Sequence, residues 1–558
     1  MNFRVFCKDI MFSILSQKRK VLPLVFAILI FVVIFEATSI LDYPSISRVT
    51  SSTLFSSPEP ESPQSFWSSI FKIYDSNKIP YNENDWIEYP PHMNRDFAKT
   101  RKRLLERCKV SQPHLEEIKR KHSIVVTSLP DSLPKNTYVP GSKGIVMMGG
   151  GFFSWLSFLS VLQLREVGST LPIEIVIPSM EEYDSAYCDE QLPKYNARCV
   201  VITEELGLNE TEWKFEKYQY KGLALLVNSF QHVFLLDSDN FPVSNVDQYF
   251  ESSVYKDNGM VLWPDYWKRS ISPLYYDIAN LSVTYDKQVR SGPFDLLEPY
   301  KLNAAQMDDV TFHDLEGAIP DLSTESGQLM VDKASHGKML LLSLYYNVVG
   351  PHVYYRLFSL GARGEGDKDT FASAALVTKT PYYQVKTYIR PFFMTFSDKS
   401  TKSSAMGQHD PQLDYDLYLS KYSELKAKYT DITSLDQQKK LLEKFNKQYF
   451  HKVEKDVPIF SVHCNIWKLD PPEYMNRKEI YSSKENRMTT RMFNNFKYIQ
   501  GEGEQVDFEL QRWKLAHKIA CEDKVMFTNF QDKDMDKVCE FISNSVEWLS
   551  NNSGPETF

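Results

Sequence analysis

The chain has 558 residues, of which 42% are apolar and 24% charged, with a formal net charge of −8. This length and composition suit a globular protein with a large core and argue against disorder, while the acidic balance offers no basic surface to a nucleic acid. Aromatic side chains make up 14%, which suits stacking on sugar rings and suits core packing equally well.

In chain order, residues 1–20 read as a cytosolic tail carrying Arg4, Lys8, Lys18, Arg19 and Lys20. Residues 21–41 are almost unbroken apolar and long enough to span a bilayer. Positive charge ahead of the span places the N-terminal side in the cytosol, so a type II signal anchor is expected with the rest lumenal. The rival is a cleavable signal peptide processed near Glu36-Ala-Thr-Ser39. Beyond the span lie Cys108, Cys188, Cys199, Cys464, Cys521 and Cys539, an even set that allows up to three bridges of unassigned connectivity. Cys7 stays on the cytosolic side. Asn209-Glu-Thr211, Asn280-Leu-Ser282 and Asn551-Asn-Ser553 are glycosylation acceptors.

Residues 42–95, rich in Ser and Pro, read as a stalk. Residues 96–139 form a helical lead-in, with one charged helix from Lys99 to His122 laying Leu104, Leu105, Cys108 and Leu115 on the body. The body, 140–558, opens with the buried strand Lys143–Met148, the turn Gly149-Gly-Gly151 and a helix with apolar spacing from Phe152 to Leu164. Bare backbone at such a turn can approach a phosphate or base, or simply make a tight turn. Ile173–Pro178 and Cys199–Ile202 are further strands, and Tyr218–Phe230 is a helix carrying Lys221. Alternating β and α units predict an α/β fold with a mostly parallel, Rossmann-like sheet flanked by helices.

The central stretch is Val233–Leu236, a continuous apolar run stopped by Asp237-Ser-Asp239 with Pro242 behind it. It predicts a strand buried on both faces, with two carboxylates at its carboxyl end, where open α/β sheets bind ligands. Residues i and i+2 of an extended segment point the same way, so Asp237 and Asp239 can share one hard cation. Asp-x-Asp also occurs at 367/369, 414/416, 532/534 and 534/536, but only Asp237 and Asp239 end a buried run.

Met260–Asp265 is another strand ending in a polar turn, Glu325–Asp332 follows, and Met339–Val349 is a core helix too short and interrupted to span a membrane. Gly361–Phe371 is a glycine-rich charged loop that brings Glu365, Asp367 and Lys368 together and leads into a helix capped near Asp369 or Thr370. Residues 410–453 are charged and helical, and Ile459–His463 is a strand with His463 at its end. The chain beyond about residue 470 is mixed and largely helical.

Gly144–Gly151, Tyr220–Leu226, Leu235–Pro242, Glu325–Gln328 and Gly364–Lys368, in this order, resemble the fungal Golgi α-mannosyltransferase family that builds α-1,2-linked mannose branches on the outer chains of N-linked glycans. The resemblance runs from about 140 to 470. It implies a GT-A fold, GDP-mannose as donor, Mn²⁺ as metal, retention of configuration, a mannan or N-glycan acceptor on cell-wall mannoproteins, a Golgi membrane location and association with other Golgi glycosyltransferases. Carried over, Asp237 and Asp239 become the metal and diphosphate site, Gly149, Gly150 and Gly151 line the nucleotide site, and Lys221 lies near the nucleotide. Val462-His-Cys-Asn-Ile-Trp-Lys468 resembles the late motif of the glycogenin-like class, which implies His463 as a metal ligand and Lys468 on the diphosphate. Its spacing is one residue short and its usual glycine is missing.

An α-linked donor giving an α-linked product requires either a carboxylate that attacks first or an acceptor that enters on the leaving-group side. Asp367 is the carboxylate expected nearest the reacting sugar, with Glu325 and Glu365 behind it. Trp263, Trp267 and Tyr382 could stack on the acceptor or pack in the core. The competing readings are an α-1,3-mannosyl, mannosylphosphate or UDP-sugar transferase, and a catalytically silent subunit of a Golgi complex.

Overall fold

The computed structural model describes residues 62–79, 86–90, 94–208, 213–396, 398–451, 456–501 and 503–557. The expected tail and anchor, Cys7 and the Asn209 acceptor lie outside them. Among the described residues no helix is long and apolar enough to cross a membrane.

The strands up to the site's last element are β1 (Val139–Met148), β2 (Ile173–Ile177), β3 (Ala197–Val201), β4 (Phe230–Leu236), β5 (Asn240–Pro242), β6 (Met260–Pro264), β7 (Thr284–Ser291), β8 (Phe294–Lys301), β9 (Leu315–Glu316), β10 (Thr324–Asp332), β11 (Tyr383–Gln384), β12 (Arg390–Thr395), β13 (Thr401–His409) and β14 (Ile459–His463). Seven of them form the main sheet in the order β11-β6-β10-β4-β1-β2-β3, a second sheet runs β12-β13-β14-β5, and β8-β7-β9 form a third. Within the main sheet β1 to β4 pair in parallel, and β11 is parallel to β6. Only β10 runs against its neighbours β4 and β6. The sheet is therefore mixed and mostly parallel.

Its strands are apolar throughout because both faces are covered. Val233 and Leu235 enter one core with the helix Lys333–Val348, while Phe234 and Leu236 enter the other with the helix Phe152–Glu166. Each of these four residues is fully buried and contributes roughly 1.5–3 kcal/mol relative to exposure. The acidic tip that follows β4 is thus fixed to one of the least yielding elements of the molecule.

Two expectations need correction, and one cap forms where expected without its side-chain bond. The stalk does not extend to residue 95: Pro63–Asn77 is a helix capped by Ser62, and it buries Phe66, Trp67, Ile70, Phe71 and Tyr74. Those aromatics recur at helical spacing, a signal masked by the Ser/Pro composition before them. The single lead-in helix is two helices, Arg101–Leu105 and Gln112–Ser128, because Ser111 caps a new start with Pro113 in its first turn. Asp369 does occupy the N-cap position of the helix Thr370–Thr378, but it makes no cap hydrogen bond; its carboxylate is committed to Arg269 and Ser323.

Among the described residues two disulfides form, Cys188–Cys199 and Cys521–Cys539, and Cys108 and Cys464 are buried free thiols. Asn280 and Asn551 stand exposed, as glycosylation acceptors must.

Candidate active site

β4 ends at Leu236, and the chain turns through Asp237 and Ser238 before β5 leaves the main sheet to join the second one. β5 pairs antiparallel with β14, setting Asn240 opposite His463. The Cys464 N–H donates to the Asp239 carbonyl at 2.9 Å. This pairing brings His463 to the acidic tip across more than 220 residues of sequence.

His463 Nε2 lies 3.2 Å from Asp239 Oδ1 and 3.6 Å from Asp237 Oδ2. One ligand atom from each of Asp237, Asp239 and His463 falls within 4.8 Å of the others, and the remaining Asp-x-Asp pairs gather no such set among the described residues. Two carboxylates and an imidazole form a hard donor set of the kind that holds divalent cations such as Mn²⁺ or Mg²⁺. Behind the ring, His463 Nδ1 faces Glu325 Oε1 at 3.0 Å, at ion-pair distance without hydrogen-bond alignment. Glu325 is held in turn by the Gly327 N–H at 2.5 Å and by Gln328 Nε2 at 2.7 Å. Glu325 thus stands behind the imidazole, in the position from which carboxylates orient metal-ligating histidines.

Lys221 donates to Asp237 Oδ2 at 2.8 Å and to the Ser326 carbonyl at 3.1 Å. Lys468 pairs with the other oxygen of Asp239, and its side chain is one-third exposed. Burial favours neutral forms here, and the charges oppose it. It raises the Asp237 carboxyl despite Lys221 and His463, whereas at Asp239 the burial penalty is outweighed by His463 and Lys468, which hold that carboxyl well below its ordinary range. Burial alone would lower His463, but Glu325 and Asp239 lift it to about 10. The ring therefore carries a proton that a bound cation would replace.

Asp367 is buried, 3% exposed. Its Oδ1 accepts from Ser326 Oγ at 3.0 Å, while Oδ2 has no hydrogen-bond partner among the described residues and lies 4.0 Å from Lys221 Nζ. Burial raises this carboxyl, with Lys221 opposing. Glu365 is not brought to the cluster: it is exposed and accepts from Tyr89 OH at 2.8 Å and from Ser359. Trp263 is core, fully buried, and donates to the His409 carbonyl at 2.9 Å.

A cavity of about 500 Å³ opens over these strand ends and is lined by Asp237, Asp239, Lys221 and Lys468, and also by Gly149, Phe153, Glu182 and Tyr218. Gly150 and Gly151 adopt φ of +92° and +50°, conformations that favour glycine. A Cβ on Gly149 would strike Ile175, so this turn also lets the helix Phe152–Glu166 sit against the sheet.

Arg269 carried no signal in the sequence, and it is fully buried. It pairs with Asp369 at 2.5 Å and donates to the carbonyls of Pro320 and Leu322 at 2.7 and 2.6 Å. It thereby ties the loop that bears Asp367 to the segment leading into Glu325. Lys368 pairs with Asp265 at 2.5 Å in the same loop.

Gly327 supplies a test of the cluster. A Cβ there would stand 2.5 Å from His463 Nδ1 and still closer to Glu325. Gly327→Ala is therefore expected to part the imidazole from its carboxylate and weaken Mn²⁺ binding by about 10–100-fold in calorimetric titration. Unchanged affinity would remove His463 from the ion site.

Residues 142–410 match a family model described as "Mannosyltransferase putative". The chain is 42% identical to the α-1,2-mannosyltransferase MNN22 of Candida albicans over 515 residues, covering 87% of this chain and 85% of the relative. It is 43% identical to MNN23 of the same organism, covering 87% and 84%. Against the α-1,2-mannosyltransferase MNN2 of Saccharomyces cerevisiae the identity is 35%, with 87% and 85% covered. The chain belongs to the family of fungal α-1,2-mannosyltransferases.

Proposed function

We propose that the protein is a retaining Golgi α-1,2-mannosyltransferase of GT-A type that transfers mannose from GDP-mannose to the α-1,6-mannan backbone or its branches on N-linked glycans. The observation that carries this reading is the cluster of Asp237, Asp239 and His463 beside a cavity of ligand size, in a chain of this family. These three residues would hold Mn²⁺, which when bound offsets the charge that gathers on the diphosphate as its bond to the sugar breaks.

The protein's own groups do the rest. Lys221 and Lys468, each already on one aspartate of the pair, bind and orient the diphosphate. Glu325 acts through His463 by fixing the ring. Asp367, buried 4.0 Å from Lys221, is the carboxylate placed to stabilise the positive charge that develops at the sugar's anomeric carbon. Glu365, on the outer side of the loop, anchors that loop through Tyr89 and Ser359. A type II anchor with a lumenal body is supported by the two disulfides and the exposed Asn280 and Asn551 acceptors.

The test is an assay of the detergent-solubilised full chain with Mn²⁺, a panel of nucleotide-sugars and an α-1,6-mannan oligosaccharide, followed by linkage analysis. Transfer from GDP-mannose into an α-1,2-linkage is expected. Transfer from a UDP-sugar alone, an α-1,3-linked product, or no transfer would overturn the reading.

A further inference from the structure

The cavity holds a second group of residues that the proposed chemistry leaves idle. Phe153 follows the glycine turn, Glu182 follows β2, and Tyr218 caps the helix that carries Lys221. Phe153 is 47% exposed and Tyr218 46% exposed, large aromatic rings at the mouth of a cavity where core packing does not require them. The Glu182 carboxylate has neither a hydrogen bond nor an ion pair among the described residues, although burial lifts its pKa. Its Oε2 stands 2.5 Å from where a Cβ on Gly150 would lie. A side chain at Gly150 would therefore collide with this carboxylate in its present place.

We propose that this part of the cavity takes the base of a guanine nucleotide, with Glu182 accepting from its N1–H and 2-amino groups while Phe153 and Tyr218 pack against the ring. This rests on reading the cavity as the donor site. A carboxylate presents two acceptors side by side, and guanine is the common base that offers two adjacent donors in return. Uracil offers one N–H flanked by two carbonyl oxygens that would face the carboxylate, and adenine pairs its donor with a ring acceptor. Stacking on the aromatic rings is tolerant of base identity, so selectivity falls to Glu182. Asp237, Asp239, Lys221 and Lys468 line the same cavity, which provides for the diphosphate of the same ligand.

The test is calorimetric titration of the full chain in Mn²⁺ with GDP, inosine diphosphate and UDP. Inosine diphosphate keeps N1–H and lacks the 2-amino group. The wild-type protein should bind GDP at least about tenfold more tightly than inosine diphosphate, the value of one partner in a bidentate pair. Glu182→Gln and Glu182→Ala should each weaken GDP about 10–100-fold and bring the GDP and inosine diphosphate affinities within threefold. UDP affinity should stay within twofold, which also reports an intact fold and diphosphate site. Phe153→Ala should weaken all three ligands alike. If either Glu182 variant keeps the wild-type GDP preference, the assignment of Glu182 fails and the donor reading survives. If the wild-type protein prefers UDP, the donor reading itself fails.

Discussion

Asp239→Asn is expected to lower mannosyl transfer by about 10³-fold or more, the scale of the several kcal/mol that a cation supplies to a developing anion. The substitution removes the charge on which both His463 and Lys468 converge. Loss of folding does not explain such an effect. With Asp239 neutral, Glu325 still faces the His463 imidazolium at 3.0 Å, and Lys468 is one-third exposed and can turn to solvent. The variant should therefore melt as one cooperative unit while failing to bind Mn²⁺. Steady-state kinetics paired with a metal titration would show this, and an active variant with full metal affinity would remove Asp239 from the site.

Asp367→Asn is expected to reduce kcat by about 10²–10³-fold while leaving the KM for the donor within threefold. Asn keeps the shape and the contact with Ser326 Oγ and removes only the charge, so a loss confined to kcat means that the carboxylate acts in the transition state. Its Oδ2 supports the choice: among the described residues this buried oxygen has no hydrogen bond, and Lys221 stands 4.0 Å away, so its capacity to accept is not spent within the protein. Glu365→Gln is the control, because Glu365 is exposed and apart from the cluster and Gln keeps an acceptor for Tyr89 and Ser359, so it should stay within threefold of wild type. Equal losses in the two variants would mean that the loop, and not Asp367, matters.

Much of this site was legible before the fold was known because it depends on short-range pattern. The apolar run ending at Asp237 and Asp239 marks a strand buried on both faces, and the glycines 149–151 mark the turn that opens the cavity. His463 is different. Nothing local distinguishes it from a structural histidine, and it reaches the carboxylates only through the pairing of β5 with β14; the resemblance of its flanking residues was the sole pointer. Arg269 was invisible because a buried arginine is defined by the carbonyls it meets, which come from Pro320 and Leu322. Glu325 was legible as a site residue, but its place behind His463 follows from the reversed direction of β10 beside β4. The helix Pro63–Asn77 carries its signal in the spacing of Phe66, Trp67, Ile70, Phe71 and Tyr74, which the Ser/Pro-rich composition ahead of it obscures.

The most direct test of the whole account is a crystal structure of the protein with Mn²⁺ and GDP. The account predicts an anomalous manganese peak about 2.2 Å from oxygens of Asp237 and Asp239 and from His463 Nε2, with the diphosphate completing its shell. A manganese ion held elsewhere, or a nucleotide bound with both carboxylates turned from its phosphates, would contradict it.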